Sequence, residues 1–150
     1  MKKIKKYSLV VGLVLTANLI ATSNSHASLK VTASPTKNLP QKGAVVKFKF
    51  STMPKTHGVY VVECMAPKTA NAIPTVCDTN QAASAWASNL KSDISQGASN
   101  AAMEVLVKPE PYWSKGDCVH AKCVFLVLSD HNATTDNSVD TVISFTFASK

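Results

Sequence analysis

The sequence contains no arginine, and its positive charge is concentrated at one end. Four of its 16 lysines lie within the first six residues. Without that segment, 12 lysines stand against 9 acidic residues, a net charge of +3. No lysine cluster alternates with aromatic residues, as would be expected of a nucleic-acid-binding surface. We therefore expect no direct nucleic-acid site and interpret the scattered lysines as a solvated surface.

The sequence also lacks an apolar run that is long enough to cross a membrane. The stretch from Ser8 to Ala21 is shorter than the roughly 20 residues of a spanning helix. It lies between the lysine-rich start and the small residues of Ser25-His26-Ala27, which is the pattern of an export signal. We expect cleavage after Ala27, so that residues 1–27 are a signal peptide and residues 28–150 form one secreted domain without a membrane anchor. An uncleaved anchor is the alternative.

No stretch shows the 3.6-residue apolar period of an amphipathic helix. Short alternating or β-branched segments instead recur about every ten residues, separated by Pro, Gly, Asn and Asp. Within 44–51, Val46, Phe48 and Phe50 alternate with two lysines, as in a strand with one wet face. This pattern predicts an all-β fold, a seven-stranded immunoglobulin-like antiparallel β-sandwich. The predicted strands are Leu29–Ala33, Ala44–Ser51, Gly58–Cys64, Ala85–Lys91, Ala101–Lys108, Val119–Leu128 and Val139–Phe147.

The four cysteines all lie in the segment that we expect to be exported. An even number in an oxidising compartment indicates disulfides, with three possible connectivities. Zinc is an alternative because His120 lies between Cys118 and Cys123. However, neither these two cysteines nor Cys64 and Cys77 are separated by the two-residue gap of a zinc knuckle. A redox switch would need an exposed thiolate of low pKa, which nothing in the motif indicates.

The sequence shows no convincing catalytic or metal-binding constellation. Ser129, Asp130 and His131 are adjacent, so their side chains cannot converge as a catalytic triad does. We expect His57, His120 and His131 at the surface, no enzymatic activity and no cofactor. The segment 130–140 has oxygen-bearing side chains at alternating positions. A calcium site there is the less favoured alternative, because the glycine at the sixth position and the acid at the twelfth are missing.

Several stretches carry a resemblance to a known family. "KVTASPTKNLPQKGAVVKFKF" is similar to that family's opening strands, and "VYVVECMAP" to the strand that delivers its first cysteine. "GDCVHAKCVFLVLSD" followed by "DTVISFTF" is similar to its second cysteine pair and closing strand. By these features, residues 28–150 resemble the neocarzinostatin family, secreted β-sandwich apoproteins that carry enediyne antibiotics. The resemblance implies disulfides between Cys64 and Cys77 and between Cys118 and Cys123.

The resemblance also implies a ligand site in a cleft over the first disulfide. Cys64 and Cys77 would form the cleft floor, Phe125 and Val127 would lie on the strand beside it, and Trp86 falls near an aromatic lining position of the family. Aromatic residues outside the predicted core strands offer contact area to a ligand. Besides Trp86, these aromatic residues are Tyr112 and Trp113.

The expected function is therefore non-covalent binding of an apolar or aromatic small molecule by a monomer. By resemblance, the ligand is an enediyne-like chromophore, a DNA-cleaving antibiotic that the protein protects or delivers. The alternative is an extracellular structural or adhesion module with no small-molecule ligand.

The chain departs from the family at the predicted cleft. Residues 108–117 are shorter than the family hairpin that forms a cleft wall, and Ala66 stands where an aromatic residue is expected. Phe125 and Val127 stand near positions where the family tends to have a polar residue and a glycine, which predicts a smaller cavity. The chain is also mildly basic, whereas family members with known ligands are acidic. The resemblance therefore indicates the fold more strongly than the ligand.

Overall fold

The computed structural model describes residues 29–78, 85–100, 102–107, 118 and 120–149, with only the backbone for 103–107. The predicted signal peptide, Tyr112 and Trp113 lie outside these ranges. Within them, no helix is long and apolar enough to cross a membrane.

The described chain consists mainly of β-strands in two antiparallel sheets, which confirms the all-β class. Strands β1 (Lys30–Ser34), β2 (Ala44–Thr52) and β5 (Ala102–Val107) form a three-stranded sheet in the order β1-β2-β5. Strands β3 (Val59–Met65), β4 (Trp86–Ala87), β6 (Cys123–Ser129) and β7 (Thr141–Phe145) form a four-stranded sheet in the order β4-β3-β6-β7. A short helix, α1 (Lys91–Ser95), follows β4.

Strand β2 follows the alternation of its sequence. Val46, Phe48 and Phe50 are buried, while Lys47 and Lys49 are exposed. This is the arrangement expected of a strand whose sheet covers a core on one face and contacts water on the other.

The main core lies between the two sheets. The ring of Phe48 in β2 contacts the ring of Phe125 in β6 edge to face, with centroids 5.0 Å apart. Phe125 also stacks against Phe145 of β7 at 4.3 Å. Burial of each such side chain contributes roughly 1.5 to 3 kcal/mol, so this aromatic group is a major contributor to the association of the two sheets.

Strand β6 is apolar on both faces. Phe125 and Val127 point into the main core, whereas Val124 and Leu126 point to the opposite face of the sheet. There they form a second apolar cluster, which the segment 66–77 helps to cover. Its buried members are Val62, Cys64, Val124 and Leu126, and Ala66, Cys77 and Leu128 pack against them.

Both predicted disulfides are present. Cys64 pairs with Cys77 at a sequence separation of 13, and Cys118 pairs with Cys123 at a separation of 5. In each case the two cysteines are close in sequence, so neither bond joins one sheet to the other. Within the described ranges, no cysteine is free.

The segment after β1 is tied to the segment after β7. Leu39 and Phe147 form a parallel bridge, in which the backbone N–H of Leu39 donates to the carbonyl of Thr146 at 2.9 Å. The N–H of Ala148 donates to the carbonyl of Leu39 at 2.8 Å. Because the Leu39 side chain is also buried in the main core, this connection is anchored by both packing and hydrogen bonds.

Two regions differ most from the sequence-based prediction, and the last strand is shorter at both ends than predicted. The strand predicted over 85–91 is limited to Trp86–Ala87, because the Ser88 hydroxyl accepts the N–H of Leu90 and donates to the carboxylate of Asp93. These bonds turn the chain into α1, which the prediction lacks. Strand β6 begins at Cys123 rather than at residue 119, after the turn that the second disulfide closes.

Candidate functional site

A cavity of about 360 Å³ lies on the outer face of the four-stranded sheet. Outward side chains of β3 and β6 form its base, and the segment 66–77 forms one wall. A more polar end is formed by residues that follow β6. The apolar lining consists of Val62, Ile73, Pro74, Cys77, Leu126 and Leu128, with Tyr60 beside them, and the polar lining of Ser129, Thr134, Asp136, Asn137 and Asp140.

The pairing of β3 with β6 fixes the cavity base. Tyr60 pairs with Leu128 and Val62 pairs with Leu126. Since paired residues of adjacent strands share a face, these four side chains project to the same side. Their common orientation creates an apolar surface on the side of the sheet away from the main core.

The first disulfide and its flanking hydrogen bonds hold the wall in place. Cys64 belongs to β3, and its bond to Cys77 draws the 66–77 segment back over the sheet. The N–H of Met65 donates to the carbonyl of Val76, and the N–H of Asp78 donates to the carbonyl of Glu63. The start of the segment follows β3 directly in the chain, and its end is attached to β3 by the disulfide and these hydrogen bonds.

The structure brings some of the predicted site residues together and separates others. Of the two residues predicted for the cleft floor, Cys77 lines the cavity and Cys64 lies in the second apolar cluster. Phe125 and Val127 are 0% exposed and lie in the core between the sheets, on the opposite face of β6 from the cavity. This corrects the sequence-based placement, because the residues of β6 that face the cavity are Leu126 and Leu128.

Trp86 belongs to an aromatic cluster beside the cavity. Its ring lies 6.0 Å from the ring of Tyr60 and 5.2 Å from that of His131. The Tyr60 hydroxyl lies 2.6 Å from Nδ1 of His131. Tyr60 lines the cavity, whereas Trp86 contacts Tyr60 and is not among the lining residues. The other two predicted aromatic residues, at 112 and 113, lie outside the described ranges.

A buried carboxylate supports this cluster. Asp130 is fully buried and accepts the backbone N–H of Gly58 at 2.8 Å, the indole N–H of Trp86 at 3.0 Å and the backbone N–H of Asn132 at 2.9 Å. Burial alone would raise the pKa of Asp130, but hydrogen bonds from Asn132, Trp86 and Gly58, together with nearby His131, lower it below its usual value. Asp130 is therefore an ionised structural group that orients Trp86.

His57 is buried, which contradicts its predicted surface position; His120 and His131 are exposed as expected. Nδ1 of His57 lies 3.2 Å from the Thr56 hydroxyl, and Nε2 of His57 lies 3.2 Å from the Ser129 hydroxyl. Ser129 donates its own hydrogen to the carbonyl of Asp136 at 2.6 Å. The Ser129 hydrogen is thus directed to a backbone carbonyl rather than to Nε2 of His57.

The contact between His57 and Ser129 also joins two segments that are distant in the sequence. Nε2 of His57 also lies 3.8 Å from the carboxylate of Asp136. These contacts attach the segment after β6 to the residues that precede β3. Because His57 and Ser129 are 72 positions apart, no local sequence pattern could have revealed them as partners.

Glu63 lies on the opposite face of β3 from the cavity and is 2% exposed. Burial, and then the charge of Asp78, raises the pKa of Glu63 to about 8. Its carboxylate lies 3.3 Å from the sulfur of Cys118, and donor atoms of Glu63, Cys118 and Cys123 lie within 4.8 Å of one another. Because the two sulfurs are bonded to each other, they supply no thiolate to a metal ion.

In comparisons with known proteins, no family model matches the chain and no curated protein matches it. The resemblance to the neocarzinostatin family thus rests on the stretches quoted above, and the geometry of the cavity carries the functional argument.

Proposed function

We propose that this chain is a secreted binding protein that holds an apolar or aromatic small molecule in the cavity over the Cys64–Cys77 disulfide. The cavity itself is the observation that carries the proposal. Its volume of about 360 Å³ falls within the range of about 300 to 1,000 Å³ that is typical of small-molecule sites. Its mainly apolar lining, with a few polar groups at one end, is also typical of such sites.

The composition of the outer sheet face supports this proposal. The outer face of an antiparallel sheet is usually polar where it contacts water. Here Val62, Leu126 and Leu128 occupy that face, and the covering segment leaves a cavity above them. Ile73 of that segment is 48% exposed, so apolar surface is available to a ligand at the mouth of the cavity.

We further propose that the fold is a seven-stranded immunoglobulin-like β-sandwich of the neocarzinostatin type. The division into sheets of three and four strands, the two local disulfides and the cavity over the first of them support this proposal. The ligand implied by the resemblance is an enediyne-like chromophore, which the protein would shield or deliver. The disulfides and the N-terminal export pattern support secretion.

Calorimetric titration of residues 28–150 with 1-naphthalenemethanol, a neutral flat aromatic molecule, tests the proposed site. We expect saturable binding with a Kd of about 0.1 mM, or about 5.5 kcal/mol. Ile73→Ala should weaken binding about fivefold, because it removes about 1 kcal/mol of apolar contact at the cavity mouth.

Ile94→Ala is the matched control, since Ile94 is 39% exposed on α1 and does not line the cavity. The affinity of Ile94→Ala for 1-naphthalenemethanol should equal that of the unmodified protein. Absence of saturable heat, or equal losses in both variants, would contradict the proposed site.

A structural or adhesion module is the second candidate. Within the described strands, β7 lies at the edge of the four-stranded sheet, and Val142 on it is 40% exposed. An exposed strand edge can pair with another chain. The binding-protein proposal expects a monomer in analytical ultracentrifugation, whereas a dimer that Val142→Lys dissociates would favour the second candidate.

A further inference from the structure

We infer that the cavity selects a cationic ligand, namely an apolar or aromatic molecule that carries a protonated amine, whose ammonium group lies at the end lined by Asp136 and Asp140. This inference rests on the function proposed above and narrows the class of ligand.

The two ends of the cavity differ in chemistry. Val62, Leu126 and Leu128 form an apolar base, whereas Asp136 and Asp140 are among the residues that line the polar end. A ligand that fills both ends must combine an apolar body with a polar group. The few polar groups of such a site determine which ligand is accepted and how it is oriented.

The residues that line the cavity include two aspartates and no lysine, although the chain as a whole is basic. The sequence contains no lysine or arginine between Lys122 and Lys150, but three aspartates lie within 130–140. No lysine is among the residues that line the cavity. Charge complementarity therefore favours a positive group and disfavours a negative one at this end.

Asp136 and Asp140 differ in their interactions with neighbouring residues. Asp136 accepts the backbone N–H of Ser138 at 2.9 Å and lies 3.8 Å from Nε2 of His57. In the part of the chain that the structure describes, no hydrogen-bond donor or cation reaches the half-buried carboxylate of Asp140. Burial, and then the charge of Asp136, raises the pKa of Asp140. An ammonium group between these carboxylates would offset their repulsion and donate hydrogen bonds to both.

Three probes with the same ring system separate charge from apolar contact. They are 1-naphthylmethylamine, 1-naphthalenemethanol and 1-naphthoate, each titrated calorimetrically into residues 28–150 at neutral pH. We expect the amine to bind about tenfold more tightly than the alcohol, and the carboxylate to bind more weakly than either. The advantage of the amine should shrink between about 20 mM and about 500 mM NaCl, because salt screens the attraction.

Asp140→Asn should remove most of the preference for the amine over the alcohol, because the ratio of the two affinities within one variant reports the charge of this end. Saturable binding of the alcohol then shows that the variant cavity is intact. If the variant does not fold, the unmodified protein still tests the cationic ligand. The test is then the preference for the amine over the alcohol and the decrease of that preference with salt.

Three outcomes would overturn the inference. Equal binding of the amine and the alcohol would reject the cationic ligand but leave the proposed binding function standing. Absence of saturable binding by all three probes would reject both proposals. The third outcome combines two results: the amine shows no preference over the alcohol in calcium-free buffer, and calcium chloride binds and displaces the amine. These results would assign the acidic end to a metal ion instead.

Discussion

At the scale of single residues, two buried carboxyl groups differ in charge because different interactions accompany their burial. Asp130 accepts N–H groups from Gly58, Trp86 and Asn132, which stabilise its ionised form. For Glu63, burial and the charge of Asp78 favour the neutral form and raise its pKa to about 8. At neutral pH, Asp130 is therefore ionised and Glu63 is largely protonated.

The raised pKa of Glu63 predicts that stability falls with rising pH. The unfolded chain ionises this group near 4.5, whereas the folded protein keeps it protonated up to about 8. With respect to this group, the free energy of unfolding should therefore be highest below 4.5, decrease between 4.5 and about 8, and change little at higher pH. Glu63→Gln keeps the shape but cannot ionise, so at pH about 9 it should be more stable than the unmodified protein by about 5 kcal/mol.

Urea denaturation at pH about 5 and about 9 measures this difference. The advantage of Glu63→Gln should shrink to less than about 1 kcal/mol at the lower pH, which serves as the internal control. An equal effect of the substitution at both pH values would show that its cause is packing rather than charge.

At the scale of single elements, β6 shows why the sequence predicts a strand better than the orientation of that strand. A strand with apolar and polar residues in alternation, such as β2, reveals which face is buried. The apolar run from Val124 to Leu128 has no such alternation, so a shift by one residue exchanges the two faces without changing the pattern. The two residues predicted beside the cleft are therefore in the core, and their neighbours line the cavity.

The start of β3 requires a residue without a side chain. A Cβ atom on Gly58 would lie 2.6 Å from the carbonyl oxygen of Ala87 and 2.7 Å from the carboxylate of Asp130. Gly58→Ala should therefore separate β3 from β4, displace the acceptor that orients Trp86, and cost about 2 to 3 kcal/mol of stability.

Gly97→Ala is the comparison variant. Gly97 has a φ of 105°, and a Cβ atom on it would meet no other atom within 4 Å, so only backbone strain opposes the substitution. We expect a loss of about 1 kcal/mol there. Chemical denaturation should place Gly58→Ala as the less stable of the two, and the reverse order would contradict the close approach of β3 to β4.

At the scale of the whole molecule, each disulfide stabilises the fold within one region rather than between the sheets. On the basis of loop-closure entropy, the Cys64–Cys77 bond contributes about 3 kcal/mol and the Cys118–Cys123 bond about 2 kcal/mol. The paired replacements Cys64→Ala with Cys77→Ala and Cys118→Ala with Cys123→Ala should lower stability in that order.

The first pair should also affect binding, because it attaches a cavity wall to β3. We expect the affinity for 1-naphthalenemethanol to fall in the variant that lacks Cys64 and Cys77, and to remain unchanged in the variant that lacks the other pair. Equal affinities in the two variants would show that the wall keeps its position without the disulfide.

Much of the fold follows from sequence patterns, but the contents of the site follow only in part. Alternation and turn residues locate most strands, and the family resemblance supplies the cysteine pairing. The contact of His57 with Ser129, and the meeting of Asp136 and Asp140 with Leu126 at one cavity, depend on strand register and long-range packing. Local composition cannot specify these contacts. Each of them joins segments that are separated in the chain or depends on which face of a strand a residue occupies.

The parallel bridge between Leu39 and Phe147 has a mechanical consequence. Tension applied between residues 29 and 149 would pull the two bridged segments in opposite directions along their common axis. The hydrogen bonds of Leu39 with Thr146 and Ala148 would then bear the load in shear, together rather than one after another. Together with the pairing of β1 with β2, these two short segments would oppose extension of the chain from its two ends.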